Sequence, residues 1–173
     1  DNVSVIRAGS LWSVQWAFAN YDPELYIPLT FLSLQLDAII GGINPFVFHF
    51  TNLLLHIANA LLITWIIRLL FKRLDIAVLL GLLFLVHPLN VEAVSWAASR
   101  KDVLSSFFFF AAIVGYLHFL ETQSVKLHFV SIGLFILGLL AKVSIIPLPL
   151  VLVCIDWYKS GTLRIADLWQ KKG

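Results

Sequence analysis

From Pro45 to Leu70 the chain carries only one charged side chain, Arg68 near the end of the run. About 20 apolar residues in helical form cross a bilayer's hydrocarbon core, so this stretch predicts a transmembrane helix. Pro45 suits a first helical turn, and Arg68, Lys72 and Arg73 close the far end. The whole chain is biased the same way: 60% of its residues are hydrophobic, 13% are charged and the mean hydropathy is +0.92. A soluble domain has roughly 45–50% apolar and about 25% charged residues. The expected class is therefore an integral membrane protein. A net charge of +2 gives nucleic acid no electrostatic footprint. The chain opens on Asp1 without a signal-like start and contains no Met, which leads us to expect an internal fragment of a longer protein.

The second constraint is a polar island, His87-Pro88-Leu89-Asn90-Val91-Glu92 through Ser99-Arg100-Lys101-Asp102, set between the apolar runs Ile76–Val86 and Val103–Leu120. Charged groups at membrane depth are costly and are kept mainly where they pair or line a cavity. The run before the island is too short to span, so the helix either continues, kinked, through Ala98 or stops and lets the island dip inward as a re-entrant loop. Ser99 and Asp102 fit a capping box. The same helix start, with Arg100 and Lys101 beside it, also reads as an anion site; plain snorkelling of the two cations is the bland reading. In the long apolar segment His49, Asn52, His56 and Asn59 make one polar stripe, expected to face the interior. It serves either as interhelical glue or as a cavity lining. Two histidines without a third ligand of suitable spacing do not make a zinc site, and no metal is expected.

Around these features the chain divides into 1–44, an extracytoplasmic loop with an interfacial amphipathic helix; 45–158, a transmembrane helical core; and 159–173, a cytoplasmic connector. In the first part Leu29, Leu32, Leu36, Ile39 and Ile40 recur at helical spacing opposite Thr30, Ser33 and Asp37, and Gly41-Gly42 ends the pattern. Pro147 and Pro149 suggest a broken or freshly started helix after Lys142. The expected fold is all-α, with about five transmembrane helices. Placing the island outside leaves eight Lys and Arg on the inner side, Arg68, Lys72, Arg73, Lys126, Lys159, Arg164, Lys171 and Lys172, against Arg7, Arg100, Lys101 and Lys142 on the outer side. The positive-inside bias favours that orientation. The single cysteine, Cys154, allows no internal disulfide.

The runs Ile27-Pro28-Leu29-Thr30, Asn44-Pro45-Phe46-Val47-Phe48-His49-Phe50-Thr51-Asn52-Leu53-Leu54-Leu55-His56, His87-Pro88-Leu89-Asn90-Val91-Glu92-Ala93-Val94-Ser95-Trp96 to Arg100-Lys101-Asp102, and Ala141-Lys142 with Pro147-Leu148-Pro149 and Asp156, resemble the multi-pass, tetratricopeptide-containing O-mannosyltransferases of the GT-C glycosyltransferase superfamily. That resemblance implies transfer of a sugar, mannose expected, from a polyprenyl or dolichyl phosphate to protein Ser/Thr hydroxyls at the extracytoplasmic face of a bacterial inner membrane or the endoplasmic reticulum. It puts the catalytic carboxylate in the first outer loop, at Asp1 or upstream of it. Two departures stand out: Ile27 occupies a position where family members usually carry Arg, and no repeat domain is present in the sequence.

Such a transfer needs a base for the acceptor hydroxyl and cations for the phosphate charge released as the glycosidic bond breaks. Asp1 is the candidate base. Arg100, Lys101 and Lys142 are candidate phosphate holders, and His49, Asn52, His56, His87 and Glu92 candidate pocket or orienting residues. The implied partners are the bilayer, the lipid-linked sugar and a protein acceptor; no cofactor is required. A transporter using His49, His56, Glu92 and Lys142 as a polar path is the rival reading, although no internal repeat of broken segments supports it. A catalytically inactive membrane anchor is the third.

Overall fold

The structure is a computed structural model that describes residues 11–19, 26–42, 44–90 and 94–160. Every regular element among the described residues is helical: α1 (Leu11–Ala19), α2 (Pro28–Gly41), α3 (Pro45–Phe71), α4 (Leu74–Val86), α5 (Arg100–Thr122), α6 (Val125–Ala141) and α7 (Leu148–Ser160), with short 3-10 turns at Pro88–Asn90, Ala97–Ser99 and Val143–Ile145.

Local chemistry sets the helix limits. Asn44 caps α3 by accepting the Phe46 N–H at 3.1 Å, and Pro45 fills the first turn where a missing N–H goes unnoticed. The other end of α3 closes on Lys72 in the left-handed region, φ 55°. Pro88 ends α4. A residue before proline is pushed out of the helical region, and His87 sits at φ −64°, ψ 129°. Two of the carbonyls at this end meet side chains: Asn90 Nδ2 donates to Phe84 O at 2.6 Å, and His56 Nε2 bonds Leu85 O at 3.1 Å. The chain is therefore broken at the island rather than kinked through it. Gly42, φ 64°, stops α2, a left-handed conformation that favours glycine.

Two helical stretches are long and apolar enough to cross a membrane: Pro45–Phe71, and Ala97–Thr122, where the 3-10 turn runs straight into α5. α2, α4 and α6, at 14, 13 and 17 residues, are apolar but shorter. Of the five expected spans, two thus have full spanning length among the described residues. The apolar windows of the long pair are only 22% and 39% buried, so neither is the enclosed core helix of a soluble protein. Leu61, Leu79, Leu83, Phe129, Ile136 and Leu150 all point outward.

α5 and α6 form an antiparallel hairpin, the most extensive helix pair, with α3 and α4 packed alongside. Small residues let backbones approach: Gly115 lies against Ser131, whose Oγ donates to Ala112 O at 2.8 Å, and Gly81 of α4 sits over Ala60 and Thr64 of α3. The hydrophobic core gathers Ile66, Ala112, Ile113, Leu117, Leu148 and Ile155. Because α5 and α6 are antiparallel, the start of α5 and the end of α6 lie at one end of the bundle.

α2 is amphipathic as expected, but its faces are distributed unusually. Leu36, Ile39 and Ile40 are exposed, whereas Thr30, Gln35 and Asp37 are buried against the bundle. The apolar side looks outward and the polar side inward, because the polar side meets unmatched polar groups on α3, α5 and α6.

Candidate functional site

The polar end of the bundle is built around Arg100, the first residue of α5, whose side chain is 0% exposed. Its Nη2 donates to Asp37 Oδ2 at 2.5 Å and to Phe48 O at 3.0 Å, and its Nε donates to Asn52 Oδ1 at 2.5 Å. Each partner is held in turn. Thr51 Oγ1 donates to Asp37 Oδ1 at 2.9 Å, and Asn52 Nδ2 donates to Trp96 O at 3.2 Å. A guanidinium taken out of water demands such a set, since a buried charge without partners is strongly destabilising. Nη1 alone has no hydrogen-bond partner among the described residues.

Two residues along, Asp102 carries the junction's second ion pair, with Lys142 at the end of α6. These side chains are 44% and 23% exposed, so water screens the pair and it contributes about 0–1 kcal/mol. Lys101 is half-buried and has no ion pair among the described residues. The capping box expected at Ser99 is not formed: the Ser99 side chain makes no cap bond and the Asp102 carboxylate is turned to Lys142. The reason is the 3-10 turn in front of α5. The Ser99 amide, which the Asp102 carboxylate would take in a capping box, already donates to Trp96 O at 3.0 Å.

The polar stripe of α3 divides. Asn52, His56 and Asn59 are buried, and each bonds a backbone carbonyl of another segment, Trp96 O, Leu85 O and Val103 O respectively. These three act as interhelical glue. His49, expected inside with them, is exposed instead, because α4 ends at Val86 and does not reach that turn of α3. It lines a shallow open groove of about 460 Å³ with Phe46, Phe50, Leu53, Val94 and Ser95. His87 is exposed, its Nδ1 accepting the Leu89 N–H at 3.3 Å. Asp1 and Glu92 lie outside the described residues. No group of three or more metal-ligating side chains occurs among those described.

Sequence reading missed Asp37, the residue that fixes Arg100. The signal was there: it is the one charged residue of α2 and falls on the same face as Thr30. An acid on a face that turns toward protein needs a cation, and Arg100 is the one that reaches it.

Two helical stretches long and apolar enough to cross a membrane, with a buried charge network and a half-exposed Lys–Asp pair at one end of the bundle, define an all-helical chain with a polar junction. Comparison with known proteins adds a likeness: a little over half of the chain is similar to part of the TMTC protein O-mannosyl-transferases. It is 36% identical to human Protein O-mannosyl-transferase TMTC1 over 98 residues, 56% of this chain and 11% of that protein. Against Protein O-mannosyl-transferase tmtc2 of Xenopus laevis the identity is 37% over 102 residues, covering 59% and 12%. Against human TMTC4 it is 33% over 112 residues, covering 57% and 15%. The matched segment thus spans only about an eighth of the length of these curated relatives. No family model and no solved structure matches the chain.

Proposed function

We propose that this chain is part of the membrane portion of a GT-C-type, multi-pass glycosyltransferase that moves mannose from a polyprenyl or dolichyl phosphate to protein Ser/Thr hydroxyls at the extracytoplasmic face. The observation that carries the reading is its sequence similarity to proteins named O-mannosyl-transferases. In the reaction the acceptor hydroxyl oxygen attacks the anomeric carbon, its proton passes to a carboxylate, and the bond from that carbon to the phosphate oxygen breaks. Asp1 is the base in this reading. The departing lipid phosphate gains a negative charge, and cations placed at that oxygen lower the barrier. Lys142 and Lys101 are the groups for this task, since Lys142 is partly exposed and Lys101 half-buried. Arg100, enclosed by Asp37, Asn52 and Phe48 O, serves the site by fixing the start of α5, with Nη1 as its one uncommitted donor. An attack opposite the leaving group, with one base, inverts the anomeric centre, by analogy with inverting glycosidases.

The test is mannose transfer from a polyprenyl-phosphate donor by the full-length protein, wild type against Lys142→Ala. Loss of one charge-assisted contact, about 1.5–3 kcal/mol, lowers donor use by roughly ten- to a hundred-fold. Wild-type rates in the variant would remove Lys142 from the site, and absence of transfer in the wild type would remove the function.

A further inference from the structure

α2 grips both sides of the polar junction at once. Near its start Thr30 Oγ1 donates to Ala141 O at 2.9 Å, a bond buried at the residue before Lys142. Seven residues on, Asp37 holds Arg100, the residue before Lys101 and two before Asp102. Seven residues are close to two full turns, so both handles lie on one face about 10 Å apart along the axis. That face is buried, with Thr30 and Asp37 each 3% exposed. The direct link between the two helix ends, Lys142 to Asp102, is the half-exposed one. Buried, hydrogen-bonded contacts define geometry; a screened pair can open and exchange partners.

We infer that α2 is a splint: Thr30 and Asp37 set the spacing between the start of α5 and the end of α6, and so the spacing of Lys101 and Lys142, leaving Lys142 free to trade Asp102 for an incoming phosphate oxygen. Asp37 and Thr30 are positioning residues, acting through Arg100 and the Ala141 backbone. This inference rests on the phosphate role proposed for the two lysines.

The experiment uses the full-length protein in nanodiscs with Cys154 replaced by Ser, and the variants Thr30→Val, Asp37→Asn and Lys142→Ala. Spin labels at Ala98 and Val143, both exposed and flanking the two helix ends, report their separation. Kinetics report the KM for polyprenyl-phosphate mannose and, separately, for an acceptor peptide. Thr30→Val removes one hydrogen bond and keeps the fold testable if Asp37→Asn does not fold. The expected result is a broadened distance distribution and a donor KM raised about three- to tenfold, the reach of one hydrogen bond, with the acceptor KM unchanged. A merely destabilised protein would lose active fraction, lowering kcat and leaving both KM values alone. An unchanged distance distribution overturns the splint. A broadened one with wild-type donor KM, in a protein where Lys142→Ala raises that KM, overturns its bearing on the site. If Lys142→Ala leaves donor KM at the wild-type value, the phosphate reading itself fails, and the distances alone judge the splint.

Discussion

Removing either partner of the Asp37–Arg100 pair leaves the other charged in a place water does not reach. Their side chains are 4% and 0% exposed. Breaking such a pair costs about 3–5 kcal/mol, because an uncompensated buried charge is left behind. Arg100→Leu falls at the upper end, since it also orphans Asn52 Oδ1 and Phe48 O. Asp37→Leu falls at the lower end, because Arg100 keeps those two acceptors and Thr51 keeps its bond to Val47 O at 3.1 Å. Replacing both by leucine removes the charge altogether, and exchanges of this kind are often close to neutral. The double-mutant cycle therefore yields a coupling of several kcal/mol, far outside the additivity of independent sites, about 0.3–0.5 kcal/mol. At about 2–4 °C of Tm per kcal/mol for a chain of this size, each single variant melts roughly 6–20 °C below wild type, and the double variant recovers the part due to the unpaired buried charge, Asn52 Oδ1 and Phe48 O remaining without the guanidinium. The assay is thermal unfolding in detergent followed by tryptophan fluorescence. Single variants within about 1 kcal/mol of wild type, or effects that simply add, would refute the buried-pair account.

With Cys154 replaced by Ser, cysteines at Ala98 and at Gln123, exposed at opposite ends of α5, label with an impermeant reagent from opposite sides of the membrane; same-side labelling would overturn the orientation. Gly81→Val destabilises by about 1–3 kcal/mol through overpacking, because a Cβ there meets the Thr64 hydroxyl and lies 3.2 Å from Ala60 O; chemical denaturation of the variant measures it, and a neutral result would separate α4 from α3. The Arg73 guanidinium, by hydrogen bond first, holds the Asp75 carboxyl down at about 2. A depressed carboxylate stabilises above its ordinary pKa and loses that contribution as pH falls through the folded value. Both groups are exposed, so the readout is the carboxyl titration by NMR: Arg73→Gln returns it toward the ordinary carboxylate range, and an unmoved titration would dismiss the pair.

The apolar run of α3, its proline start, an interruption at His87-Pro88 (though not whether the helix kinks or stops there) and the stop at Gly41-Gly42 were legible in the sequence because each depends on neighbours along the chain. What depended on distant neighbours was not. His49 shares a stripe with Asn52 and His56, yet its exposure follows from how far α4 extends. Ser99 and Asp102 match a capping pattern, yet a preceding 3-10 turn and a lysine 40 residues away in the chain decide what they do. Asp37 was visible as a polar residue on an amphipathic helix; only packing reveals that this face turns inward, where an acid must find Arg100.

α4 has 13 residues, about 20 Å of helix, against a hydrocarbon layer of about 30 Å. Where it stops, Asn90 and His56 bond two of its last carbonyls, but nothing in α4 itself covers the remaining depth. A bilayer meeting so short a helix thins locally or admits water, at fractions of a kcal/mol per Å of mismatch. Under the proposed lipid-linked donor, such a dip beside the broken end of α4 would carry the donor phosphate toward the level of the helix end without its leaving its own leaflet.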